Sequence, residues 1–189
     1  MSIVKEEHQT ALRKWYAMLQ EKRGLRASLR RSVTFNESCM SDGFHALLME
    51  THSLWKVQHK EWRFMALAIT AALAAHVRAI DERQSFAAQL GQSEGRAVMS
   101  ELRFRRLLAV KTPDELLRQL RRAIRLLNGS VNLISLAEDI FDWCKEQDDL
   151  MKYTRRQQRP TEFIRIRWAL EYYQAGDAYN DDKATSVLG

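Results

Sequence analysis

The stretch TPDELLRQLRRAIRLLNG, Thr112 to Gly129, decides the fold class. Its apolar residues Leu116, Leu117, Leu120, Ile124 and Leu127 recur at three- and four-residue steps, the period of one α-helical face. Thr112 reads as the helix cap, Pro113 fits the first turn, and Asp114 and Glu115 suit the positive end of the helix dipole. Asn128-Gly129 reads as the stop. On the other face Arg118, Arg121, Arg122 and Arg125 fall at i, i+3, i+4 and i+7. One side is thus built to pack into a core, while the other carries only guanidinium groups. Four like charges on one face repel, which costs stability unless an anion compensates. From Arg118 to Arg125 the row spans about 10 Å, roughly three phosphates along one strand.

Outward from this helix the same period continues. Leu12, Trp15, Tyr16 and Leu19 share a face, with Gly24 as the expected stop and a second element from Leu25 to Ser32. Ser41 or Asp42 caps a helix bearing Phe44, Leu47, Leu48, Thr51, Leu54 and Trp55. A long helix is expected from Val57 to Ala79, then a polar loop, Gly91 to Gly95, and a helix from Ser100 to Val110. Leu133 to Asp149 is a further helix, and Tyr153 to Arg159 a basic loop. Pro160-Thr161-Glu162 opens a last helix, with its end expected at Gly176. No alternating apolar–polar run reaches strand length. The expectation is an all-α bundle of about seven to nine helices. It divides into two sub-bundles, residues 1–95 and 96–176, with a frayed tail at 177–189.

Composition agrees with this and narrows the classes of function. The chain has 189 residues, 46% of them hydrophobic, too many for a disordered chain. Seven Gly and two Pro are too few for a hairpin-rich or linker-like one. Two cysteines, Cys39 and Cys144, cannot build a disulfide framework and read as reduced thiols. The longest apolar run, FMALAITAALAA from Phe64 to Ala75, is short for a bilayer and reads as a buried helix. The N-terminal sequence lacks the apolar segment of a secretory signal, so no membrane is expected as a partner and the expected location is cytoplasmic. The net charge is +6, and it is unevenly placed. Residues 1–35 carry +5, residues 96–125 carry +6 and residues 152–168 carry +5, whereas residues 126–151 carry −5. Three basic blocks around an acidic one point to a polyanionic partner.

Catalytic and metal-binding patterns are not found. His45, His52 and His59 repeat every seven residues, about 10 Å along a helix, too far for two of them to chelate one ion. There is no HExxH, CxxC or phosphate-loop motif, so no cofactor and no metal are expected. Glu138-Asp139-Ile140-Phe141-Asp142 is like the acidic Mg²⁺-diphosphate motif of all-α terpenoid enzymes, but a second such motif is missing. A solvated or arginine-paired acidic face is the better reading. The pair of helices over residues 100–127 also admits a DNA-binding helix-turn-helix regulator as an alternative.

The basic segments together resemble one family. The pattern starts with Leu12, Trp15 and Leu19, then Gly24-x-Arg26-Ala27-x-Leu29-Arg30-Arg31. It continues with Leu90-Gly91 and Ser100-Glu101-Leu102-Arg103-Phe104-x-x-Leu107-Leu108. Leu117-x-x-Leu120-Arg121-Arg122, Ile124-x-Leu126-Leu127 and Leu136-x-x-Asp139-Ile140-x-x-Trp143 follow, and Arg165-x-Arg167-Trp168-Ala169-x-x-Tyr172-Tyr173 closes it. Taken in order over most of the chain, this resembles the CasB family, the small subunit of Cascade, the type I-E CRISPR effector. The resemblance implies an all-α protein that is not a nuclease. It implies two copies lying head to tail beside the crRNA, a CasC-type backbone and the large subunit. It also implies contact with the crRNA–target DNA heteroduplex region and with the displaced strand of the R-loop. The basic positions carried over are Arg30, Arg31, Arg103, Arg121, Arg122, Arg165 and Arg167. Helix geometry alone adds Arg106, Arg118 and Arg125. The histidine repeat at 45–59 matches no motif of the family.

Overall fold

A computed structural model of the chain describes residues 3–57, 60–91, 96–153 and 159–186, with side chains through Gly176. It is all-α, as the periodicity requires. The helices are α1 Glu6–Glu21, α2 Arg23–Arg31, α3 Phe35–Cys39, α4 Asp42–Trp55, α5 Glu61–Ala74, α6 Phe86–Gly91, α7 Glu101–Leu108, α8 Pro113–Leu126, α9 Leu133–Met151 and α10 Ile164–Ser186. Two short strands, β1 Ala79–Ile80 and β2 Ser130–Val131, pair in parallel, with Ala79 opposite Ser130 and Ile80 opposite Val131.

The Ala-rich run sits at the centre. In α5 every residue from Ala66 to Ala74 is buried, because small side chains let neighbouring helices approach on all sides. α9 packs along it, and α8, α4, α3 and α2 contact it as well. The largest core side chains are Trp15, Trp55, Trp143, Trp168, Phe44, Phe86, Phe104 and Phe141, all with essentially no exposure. Burying a large apolar side chain contributes about 1.5–3 kcal/mol, so these eight dominate the core. One connected cluster of buried residues runs from Val4 to Tyr172.

α8 starts and stops where its sequence indicates. Thr112 Oγ1 accepts from Glu115 N at 3.2 Å, and Glu115 Oε2 accepts from Thr112 N at 3.3 Å. This reciprocal capping satisfies two N–H groups that a helix start leaves without partners. At the far end Asn128 and Gly129 adopt positive φ angles of 53° and 78°. Leu116, Leu117, Leu120, Ala123 and Ile124 are buried.

Several expected boundaries move. Gly24 lies in the first turn of α2 and the break falls at Lys22, two residues before the glycine. Arg26 fastens α2 to the chain after α5, donating from Nε to Ala75 O at 3.0 Å and from Nη2 to Val77 O at 2.9 Å. The long helix expected from Val57 to Ala79 is shorter: Lys56 turns left-handed at φ 50° and α5 stops at Ala74. Chain beyond it leaves to form β1, a pairing set by distant residues. Pro160–Glu162 is a 3-10 turn ahead of α10, not part of it. The backbone of α10 stays helical past Gly176 to Ser186. Within the Gly91–Gly95 and Tyr153–Arg159 loops, residues 92–95 and 154–158 lie outside the described residues, as do His59 and residues 187–189 of the tail.

Candidate nucleic-acid interface

The two central basic helices, α7 and α8, lean on each other through their apolar sides. Phe104 and Leu107 of α7 are buried, as are Leu116, Leu117 and Leu120 of α8. Beside that contact the two helices border a groove of about 350 Å³ lined by Met99, Arg103, Arg106, Gln119, Arg122, Arg125 and Leu126. Neighbouring Arg105 is taken by Glu101 in an i,i+4 ion pair. The guanidinium groups of Arg103, Arg106, Arg122 and Arg125 have no hydrogen bond or ion pair among the described residues.

A second cleft, about 450 Å³, adjoins the end of α8. Arg30, His76, Arg78, Ile124, Arg125, Asn128 and Gly129 line it. Arg125 belongs to both hollows, so the positive surface runs from α7 across α8 to α2. The β1–β2 pairing brings Arg78 here, with Arg78 N donating to Gly129 O at 2.8 Å. Gly129 keeps the space that the arginine stem occupies: a Cβ there would lie 2.9 Å from Arg78 Cγ. Arg30 stands one helical turn beyond Arg26, which is fastened to the end of α5.

The field of these arginines registers on His76. Burial, then the positive charges of Arg121, Arg30, Arg125 and Arg26, hold its imidazole down at about 4. Its Nε2 is shut off from water and has no hydrogen-bond partner among the described residues. Arg121 is itself shifted down, by burial first and by Arg125 second. Burial is the larger cause of both shifts, and the neighbouring arginines add to it in the same direction.

Other basic residues singled out in the sequence are used inside the fold. Arg121 is half-buried and donates from Nη2 to Ser32 O at 2.6 Å, tying α8 to the end of α2. Arg165 donates to Val110 O at 2.8 Å, holding α10 to the turn between α7 and α8. Arg167 donates to Asp139 Oδ1 at 2.6 Å and to Asp142 Oδ2 at 2.8 Å. This pairing clamps α10 onto α9 and occupies the acids that were like a diphosphate motif. Arg31 and Arg118 are exposed and line neither hollow.

The acidic side of α9 is engaged as well. Glu146 accepts from Ile164 N at 2.8 Å under the first turn of α10, and Asp149 pairs with Lys145 at 3.1 Å. Among the described residues no group of three His, Cys, Asp or Glu side chains could hold a metal ion, and no helix is long and apolar enough to cross a membrane. His45 is exposed on α4 and His52 lies against Met49 O, so the described part of the repeat forms no site. Arg78 is the residue that sequence reading missed. It falls in a segment expected to be helical, and only the pairing with residue 130 carries it to the cleft.

Comparison with known proteins gives one result. No curated protein and no solved structure matches the chain. A family model described as CRISPR-associated protein Cse2 matches residues 25–173, a span that contains both hollows and every arginine around them. The match takes in well over half of the sequence, and the chain accordingly belongs to the Cse2 (CasB) family of CRISPR-associated proteins, a family of Cascade subunits.

Proposed function

We propose that this chain is a non-catalytic, sequence-independent nucleic-acid-binding subunit of a type I-E Cascade complex. In this reading it stabilises the crRNA–target heteroduplex region and holds the displaced strand of the R-loop. One observation carries the reading: the groove arginines Arg103, Arg106, Arg122 and Arg125 face one another without an acidic partner among the described residues. Such a cluster repels itself, and phosphates relieve the repulsion. Arginine forks also match phosphate oxygens better than lysine does. Contacts of this kind position a strand without reading its bases.

The phosphate-facing set comprises Arg30, Arg103, Arg106, Arg122 and Arg125, joined by Arg78. Exposed Arg31 and Arg118 extend the same charge. Arg121, Arg165 and Arg167 keep α2, α8, α9 and α10 in register, which their hydrogen bonds support. Family membership supports the wider set of partners: crRNA, target DNA, the CasC-type backbone, the large subunit and a second copy lying head to tail, in the cytoplasm.

R-loop formation is a near-balanced exchange of base pairs, so a few backbone contacts can tip it. The test is a Cascade complex assembled with the Arg106→Glu, Arg122→Glu double variant. Target DNA affinity at moderate salt is expected to fall on the order of tenfold or more. Helical content should not change, since both side chains are exposed and unpaired among the described residues. Unchanged affinity refutes the reading. A strong preference of the chain for one duplex sequence over random DNA would favour the helix-turn-helix regulator instead.

A further inference from the structure

The cleft at the end of α8 differs from the groove in holding a histidine. His76 follows α5 directly and is faced by Arg26 and Arg30 from α2, by Arg121 and Arg125 from α8, and by Arg78 two residues on. Glu37 acts on Arg121, more weakly than burial and Arg125 do, and neither Glu37 nor Arg121 lines the cleft. Of the three cleft arginines, none has a side-chain hydrogen bond or ion pair among the described residues. Their backbone positions are set by neighbours. The Arg78 stem lies across Gly129, Arg30 follows the anchored Arg26, and Arg125 stands one turn beyond Arg121, which is tied to Ser32. Three guanidinium groups, unpaired among the described residues, around a hollow of about 450 Å³ suit a tetrahedral oxyanion.

We infer that this cleft is a seat for one phosphate group of a bound strand, clamped by Arg30, Arg78 and Arg125, and that filling it makes His76 take up a proton. The inference rests on the nucleic-acid reading and adds to it a discrete site and a proton linkage. The physical reason is charge balance. In the empty cleft a fourth positive charge is opposed by burial and by the arginines, so the imidazole stays neutral. A phosphate cancels that repulsion and reverses the local field. The imidazole then binds a proton in the occupied state that it rejects in the empty one. Linkage sets the sign: a state that binds more protons is favoured as pH falls. Strand affinity should therefore rise as pH falls below about 7, although a phosphodiester does not itself titrate in that range.

The test is a titration of the His76 ring by NMR on the full chain, in sulfate and in chloride at matched ionic strength. Sulfate should raise the His76 pKa from about 4 to about 6, with no change at exposed His45. Arg78→Gln should abolish the rise. A thymidine oligonucleotide, tested with and without a 5′-phosphate, identifies the source: a rise with both assigns an internal phosphodiester, and a rise only with the phosphorylated strand assigns a chain end. With His76 raised to about 6 in the filled cleft, oligonucleotide affinity is expected to strengthen about tenfold between pH ~7.5 and ~5, and His76→Gln to remove that dependence. A His76 pKa indifferent to both sulfate and oligonucleotide overturns the seat. If the strand still binds with a steep salt dependence, the nucleic-acid reading survives that result; if it does not bind, both fall.

Discussion

Asp139 is fully buried where α9 meets α10, and Arg167 Nη2 donates to its Oδ1 at 2.6 Å. Two effects compete on this carboxyl. Loss of water favours the neutral acid, and the guanidinium favours the carboxylate. Burial wins and pushes Asp139 up to about 7, against the pull of Arg167. An acid raised in the fold binds a proton there that the unfolded chain releases. Its contribution to stability is complete below about pH 4 and is lost as pH rises through about 7. His76, held down at about 4, works in the opposite sense, adding stability as pH rises from about 4 to its ordinary 6.5. Comparing Asp139→Asn with the parent chain at each pH removes the His76 contribution. The amide mimics the neutral acid, so the variant should lose less stability than the parent between pH ~4.5 and ~7.5. The difference is roughly 2–4 kcal/mol, measured by urea unfolding. A variant that loses more at pH ~7.5 would show that the ion pair prevails over burial. Sequence placed Asp139 in an acidic string and Arg167 in a basic one. Their meeting was legible only as one of two outcomes, because charge signs do not say which residues a fold brings together.

At the scale of elements, Gly91 shows the same limit. Its sequence context reads as the start of a polar loop, where glycine supplies turning freedom. In the structure it ends α6 and lies against α10, so close that a Cβ would collide with Tyr172 O. Glycine is there for close approach of two backbones, and no flexible side chain can move aside. Gly91→Ala should separate α6 from α10 and destabilise the chain by about 1–3 kcal/mol or more, read from urea unfolding. Tyr172, stacked on Phe104 at 3.9 Å between centroids, should lose its fixed near-UV dichroism in the same variant. Full stability would mean that the two helices slide apart without cost. α8 was legible almost to the residue because its cap, apolar stripe and stop are all local. α3 and α6, five and six residues long, were not, since helices of that length draw their stability from neighbours. Asp114 of α8 illustrates this by accepting from Phe35 N at 2.7 Å at the start of α3. The β1–β2 pair was equally hidden, and with it the place of Arg78.

The whole molecule separates its charges. Acids of α9 turn toward α10 and its arginine, while the groove and cleft arginines stay unpaired among the described residues. The net +6 therefore understates the local field, because acids such as Asp139 and Asp142 are taken by Arg167 and do not offset the groove and cleft arginines. The shape of the positive surface also bears on which nucleic acid it fits. On the proposed nucleic-acid reading, a groove of about 350 Å³ suits a single phosphate backbone better than the far wider duplex. The displaced strand of an R-loop is the single strand that the assembly has to keep from re-annealing. Two Cascade targets distinguish the roles: a full duplex, and a duplex whose non-target strand is missing across the protospacer. Arg106→Gln, Arg122→Gln should weaken binding to the full duplex several-fold and leave the gapped target unaffected. In the full duplex the salt slope should also fall by roughly 1.4, because two phosphates of a single strand are no longer neutralised. Equal weakening on both targets would move the groove from the displaced strand to the heteroduplex, where the same arginines would meet a backbone of fixed A-form spacing and not a free one.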